Sequence, residues 1–167
     1  MQFTFTPMNE VDAQAICSWH YEEAYSVYNI GSDAEEDAAA EMLDRRSPYY
    51  AVRNEQGKLV GFFCYGTSAQ PWHNDEPGIY AENRTVPIGL GLRPDLTGKG
   101  LGVAFVNAGL DFARKQFAPK FFCLYVMTFN ERAIKVYENV GFERVGMYMQ
   151  HNAYGEHAFL EMRRGVE

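Results

Sequence analysis

Several things are scarce in this sequence, and each scarcity removes a class of function. Cysteine occurs three times in 167 residues, at Cys17, Cys64 and Cys123. An odd, widely spaced set inside apolar stretches predicts buried thiols and not a disulfide framework. Basic runs are absent: no Lys or Arg stretch exceeds a pair such as Arg45-Arg46 or Arg163-Arg164, and the formal net charge is −7. A nucleic-acid partner needs a basic stripe, so that class is set aside; an acidic surface favours cationic partners such as protonated amines. No apolar run approaches the ~18 residues that span a bilayer. The opening MQFTFTPMNEVD has no basic region followed by an apolar core, so neither a signal peptide nor a membrane anchor is expected, and the expected location is the cytoplasm. Histidine occurs four times, at His20, His73, His151 and His157. Only Cys17 and His20 are close together, and a structural zinc site needs about four convergent ligands, so no metal is expected.

What is present is ordinary globular material, 47% hydrophobic and 22% charged, in a length that suits one domain over 1–167. Gln2–Thr6 alternates as a strand. Asn9 caps a helix whose expected buried face is Val11, Ala15 and Trp19, widened by Ala13 and Ile16. Asp33 is placed to cap a second helix over Ala34–Leu43. Tyr49–Arg53 and Lys58–Gly66 flank a turn and predict a hairpin. Residues 67–84 predict a loop, Thr85–Leu92 a strand, and 102–116 a helix with Val103, Val106, Leu110, Ala113 and Phe117 on one stripe. Phe121–Thr128 is a continuous apolar run suited to a central strand. Asn130 caps the next helix, with Phe129 and Ile134 spaced as a hydrophobic staple, and Gly141 ends it. Val145–His151 and His157–Arg163 predict two last strands around a turn near Tyr154-Gly155.

The chemistry concentrates after the strand that ends at Leu92. Gly98, Gly100 and Gly102 alternate just before an apolar helix. Glycines there permit positive φ and let backbone N–H groups converge on an anion, and the helix adds its unpaired N–H groups and the positive end of its dipole. Lys99 adds charge. The plainer alternative is a tight strand-to-helix turn with glycine used for packing. A Walker A loop would need Gly at 93 and Ser or Thr at 100, where Arg93 and Gly100 stand. A dinucleotide fingerprint from Gly89 or from Gly98 meets Pro94 or Val103 at its third glycine.

Arg93-Pro94 followed by Thr97-Gly98-Lys99-Gly100-Leu101-Gly102 resembles the acetyl-CoA motif of the GNAT family of N-acetyltransferases, and Asn130 through Tyr137 to Gly141-Phe142 resembles that family's second motif. Thr97 stands where the family usually has Gln or Arg. The resemblance implies an α/β (α+β) fold: a mixed, mostly antiparallel sheet of about seven strands, helices on both faces, and two splayed central strands. It implies acetyl-CoA as cosubstrate and an amine acceptor, small or peptidic. The pyrophosphate would lie on Gly98, Lys99, Gly100, Leu101, Gly102 and Val103 beside Thr97. Pantetheine would run along Leu90 and Leu92, with Asn130 holding it. Tyr137 is the implied acid for the leaving thiolate; from spacing alone it is a core aromatic. Glu82 is the tentative base, with Asp75 and Glu76 as rivals and solvated loop charge as the plainer account. Tyr21, Tyr25, Tyr28, Tyr49 and Tyr50 are candidates for an acceptor pocket. A non-catalytic acyl-CoA-binding module and transfer of a longer acyl group stay open, as do monomer and homodimer.

Overall fold

The computed structural model describes residues 2–31, 34–72, 74–152 and 155–167. The Asp33 cap, His73 and the turn at Tyr154 lie outside them. Seven strands form one sheet in the order β1-β2-β3-β4-β5-β7-β6. They are β1 (Thr4–Pro7), β2 (Tyr49–Arg53), β3 (Leu59–Tyr65), β4 (Thr85–Leu92), β5 (Phe121–Met127), β6 (Glu143–Asn152) and β7 (Gly155–Gly165). Every neighbouring pair is antiparallel except β4 and β5. Four α-helices cover the sheet: α1 (Glu10–Cys17), α2 (Glu35–Leu43), α3 (Gly102–Phe117) and α4 (Glu131–Asn139). The expected mixed sheet with helices on both faces is what the chain builds. Residues 67–84 contain two short 3-10 turns and an isolated bridge between Ala81 and Thr85.

Each face of the sheet has its own core. Phe63 and Tyr65 of β3 and Val86 and Ile88 of β4 meet Phe105, Val106 and Leu110 of α3 in the larger cluster. Ala51 packs with Met8, Ala13, Ile16, Cys17 and Met42 in the smaller one, under α1 and α2. All three cysteines are buried and free.

Two helix faces differ from expectation. Val11 is 75% exposed, and Asp12 is buried in its place beside Ala13 and Ile16. The cause is a two-pronged ion pair: Arg53 donates to both carboxylate oxygens of Asp12, at 2.8 and 3.0 Å. This turns α1 so that the charged side chain faces β2. In α3, Val103 is 38% exposed, whereas Phe105 is buried at 1%. Val103 alone departs from the expected stripe, whose other members Val106, Leu110, Ala113 and Phe117 are buried, and Phe105 buries a second side of the helix from its first turn.

Gly109 sits mid-helix in α3, where glycine normally costs about 1 kcal/mol against alanine. A Cβ there would come within 2.2 Å of two carbons of the Phe63 ring. The helix lies this close to β3 because the side chain is missing. Gly109→Ala is expected to lower stability by about 1–3 kcal/mol, a sign opposite to that for an exposed helical glycine, measurable as a lower urea midpoint.

Candidate active site

β4 and β5 run side by side for three residues only. Thr85, Val86 and Pro87 pair with Phe121, Phe122 and Cys123, and the strands then separate. Past that point β4 pairs only with β3, and β5 only with β7. Gly66 N–H donates to the Pro87 carbonyl, and Arg93 N–H donates to the Val60 carbonyl. Backbone groups alternate along a strand, so residues 87, 89, 91 and 93 face β3, while Ile88, Leu90 and Leu92 present theirs to the gap. Buried backbone polar groups need partners. One is supplied by Tyr21, whose hydroxyl donates to the Leu92 carbonyl at 2.8 Å.

A cavity of about 600 Å³ occupies the gap. It brings together most of the residues marked in the sequence: Leu90, Leu92, Thr97, Gly98, Gly100, Leu101, Gly102, Asn130 and Tyr137 all line it. Lys99 and Val103 point to solvent and do not line it. Tyr49 and Tyr50 are also elsewhere, beside a smaller cavity of about 190 Å³. Tyr50 packs against Tyr65 and Phe112 in the core. Glu82 is exposed in the turn before β4, at the end of the strand pair that stays closed. Asp75 and Glu76 are exposed in the preceding loop. None of the three lines the cavity.

The glycines divide their work. Gly98 and Gly100 have φ of +71° and +78°, which L side chains rarely adopt. Gly102 is needed for packing: a Cβ there would lie 2.9 Å from Val136 Cγ2 of α4. Positive φ and tight packing thus both occur in the glycine run, at different positions. Thr97 closes the turn by donating its hydroxyl to the Pro94 carbonyl at 2.7 Å.

The start of α3 is unusual for this chain. Asn9 caps α1 and Asn130 caps α4 through their side chains, and α2 opens with three carboxylates. α3 has neither a side-chain cap nor an acidic residue in its first turn. The first N–H groups and the positive end of this 16-residue helix thus meet no capping side chain and no acidic residue of their own first turn. Arg132 adds the cation that the sequence pattern assigns to Lys99. Its guanidinium lies 3.2 Å from where a Cβ on Gly98 would sit, and 4.3 Å from the centre of the Tyr25 ring. Its place two residues past the Asn130 cap was the available signal.

Across the gap, residues 19–30 form a strap. Tyr21 holds Leu92, and the Asn130 side-chain amide donates to the Tyr28 hydroxyl at 3.0 Å. Asn130 Oδ1 meanwhile accepts the Ala133 N–H at 3.1 Å, so both ends of the side chain are engaged. Phe129, expected in a staple, is 46% exposed and stacks on Tyr28 and Tyr25. Burial pushes the Tyr21 phenol up to about 12. Tyr137 is pushed further up by desolvation, with Tyr28 adding to the effect. Among the described residues the Tyr137 hydroxyl has no hydrogen-bond partner, and its ring meets Phe142 edge-on. A phenol raised in this way keeps its proton across the neutral range.

Among the described residues no three His, Cys, Asp or Glu side chains converge as a metal site, and no helix is long and apolar enough to cross a membrane.

The sequence profile of the "Acetyltransferase (GNAT) family" matches residues 13–142. Two curated relatives are mycothiol acetyltransferases. One, from Rhodococcus jostii, is 38% identical over 57% of this chain and 28% of its own length. The other, from Saccharomonospora viridis, is 31% identical over 84% of this chain and 43% of its own. The chain thus spans less than half the length of these relatives. Among solved structures, a spermidine N-acetyltransferase SpeG chimera from Vibrio cholerae and hSSAT superposes with a TM-score of 0.76 at 19% identity, covering 99% of this chain and 96% of that one.

Asn130→Ala removes the α4 cap and is expected to cost about 1 kcal/mol of stability. Asn130→Asp keeps the capping oxygen and is expected to retain most of it, which a pair of denaturation curves checks.

Proposed function

The chain belongs to the GNAT family of acetyltransferases, and from that premise we propose that it is an N-acetyltransferase moving an acetyl group from acetyl-CoA to a primary amine. The observation that carries the proposal is the single cavity that joins the uncapped start of α3 to the free edge of β4 and to Tyr137.

The residues fit the cosubstrate. Gly98, Gly100 and the first N–H groups of α3 form a backbone cradle for a pyrophosphate, with Arg132 beside it. A Cβ on Gly100 would have no heavy atom within 4 Å, so that side of the turn is open to a ligand. The gap-facing groups of Leu90 and Leu92 suit the amides of a pantetheine arm, as an added strand would. Acetyl-CoA, when bound, supplies the activated acetyl thioester. The Leu92 N–H is the donor we assign to polarising the acetyl carbonyl. Tyr137 is assigned the proton for the leaving sulfur as the C–S bond breaks, and it regains one from the nitrogen, which sheds its extra proton on becoming the amide. Lys99 and Val103 are proposed to contribute through their backbone N–H groups alone.

No carboxylate lines the cavity among the described residues. We therefore assign deprotonation of the amine to its transfer from water into apolar surroundings, which disfavours an ammonium. Glu82 acts at most from outside, beyond the closed end of the strand pair. The cytoplasm, reducing and supplied with acetyl-CoA, suits three buried thiols. A homodimer remains compatible with this reading.

Calorimetric titration with acetyl-CoA, with ATP as the comparison, tests the cosubstrate. Saturable binding of acetyl-CoA alone is expected, and absence of binding to folded protein overturns the proposal. Gly100→Asp, which sets a negative side chain against the cradle in a strained backbone conformation, is expected to weaken that binding by about 100-fold or more, some 3 kcal/mol. Tyr137→Phe is expected to lower kcat by about 10- to 100-fold with little change in acetyl-CoA affinity. Glu82→Gln is expected to stay within about twofold of the parent in kcat/KM, as for a charge off the reaction path.

A further inference from the structure

Charge is distributed unevenly in the cavity, and the pattern bears on the acceptor, provided that the acetyltransferase reading of the site holds. Among the described residues that line the cavity, Arg132 is the only charged one, and no Asp or Glu is present. Arg132 lies at the cradle end, against Gly98. The wall away from Arg132 is built from Trp19, Phe62, Tyr125, Met127 and Phe159; Tyr25 belongs to the cradle end, where Arg132 lies over its ring at 4.3 Å.

That wall lies on the α1 side of the sheet, and the glycines of β4 make room for it. A Cβ on Gly91 would come within 2.3 Å of the Phe62 ring, and one on Gly89 within 2.6 Å of Cys64 Sγ. Trp19 and Tyr49 hold the Phe62 ring in place, at 6.3 and 6.0 Å between centroids. Trp72 meets Tyr125 edge-on at 5.2 Å, backing the far side. Glu161 stands directly across from Tyr125 on β7, but it does not line the cavity, and its carboxylate lies 4.0 Å from Arg163.

We propose that this wall is an aromatic acceptor subsite, and that the substrate is a primary amine carried on an aromatic or similarly flat apolar body, with no second cationic group. Ring faces accept an apolar body and tolerate one ammonium on approach. A linear polyamine brings further ammonium groups, each desolvated without a carboxylate to pair with. The fold is shared with spermidine N-acetyltransferases, but a shared fold does not carry the acceptor with it.

The test is calorimetric titration of the wild-type protein, saturated with CoA, with 2-phenylethylamine and with spermidine. 2-Phenylethylamine is expected to bind about tenfold or more tighter, the effect of burying one ring. Spermidine binding equally or more tightly, or neither amine binding, overturns the assignment. Phe159→Glu, which places a carboxylate in the wall, is expected to shrink the preference or reverse it; an unchanged preference also counts against the subsite. Acetyl-CoA titration of the same preparation separates the two readings. Acetyl-CoA binding without the amine preference removes the aromatic subsite alone, whereas loss of acetyl-CoA binding removes the enzyme reading beneath it.

Discussion

The structure depends on a hydrogen-bond ladder that stops early. β4 and β5 pair over three residues and then part, leaving the gap-facing backbone of Ile88, Leu90 and Leu92 without a strand neighbour. Unpaired backbone inside a protein is costly, so the surroundings of the gap are arranged around those groups. α3 opens beside it without a cap. α4 brings Asn130, Arg132 and Tyr137 to its other side, and the tyrosine strap closes over the top. The uncapped helix start, Tyr137 and the aromatic wall all border one interrupted pairing.

The two ends of the cavity differ in physical character. At one end, positive φ at Gly98 and Gly100, helix N–H groups and Arg132 make a site for negative charge. At the other, the lining is rings and a methionine, with no charged side chain among the described residues. Tyr137 lines the same cavity, and desolvation raises its phenol. Under the proposed function, this polarity sets the order in which a single chamber takes an anionic carrier and an apolar amine.

What could be read in the sequence was local, and what could not was distant. The glycine turn, the Asn9 and Asn130 caps and the Gly141 stop depend on neighbours within a few residues, and the structure forms them. The strand and helix spans were legible for the same reason. The face of α1 was not, because Asp12 is drawn inward by Arg53, 41 residues away. Phe129 has the spacing of a staple residue, but Tyr25 and Tyr28 reach it from a separate segment. Tyr21 meets Leu92 across 71 residues, and Asn130 meets Tyr28 across 102. No periodicity encodes such meetings. The base was the least legible element: proximity to β4 in sequence puts Glu82 near the strand, but at its closed end.

The strap leaves each group it holds with one site to spare. The Leu92 carbonyl accepts from the Tyr21 hydroxyl, and the Asn130 amide donates to Tyr28. A carbonyl oxygen has a second lone pair and a side-chain amide a second N–H, so a further partner joins without displacing either phenol. What the tyrosines restrict is the direction of approach. Two hydroxyls far from the glycine turn in sequence thereby act as fences around the gap and not as occupants of it.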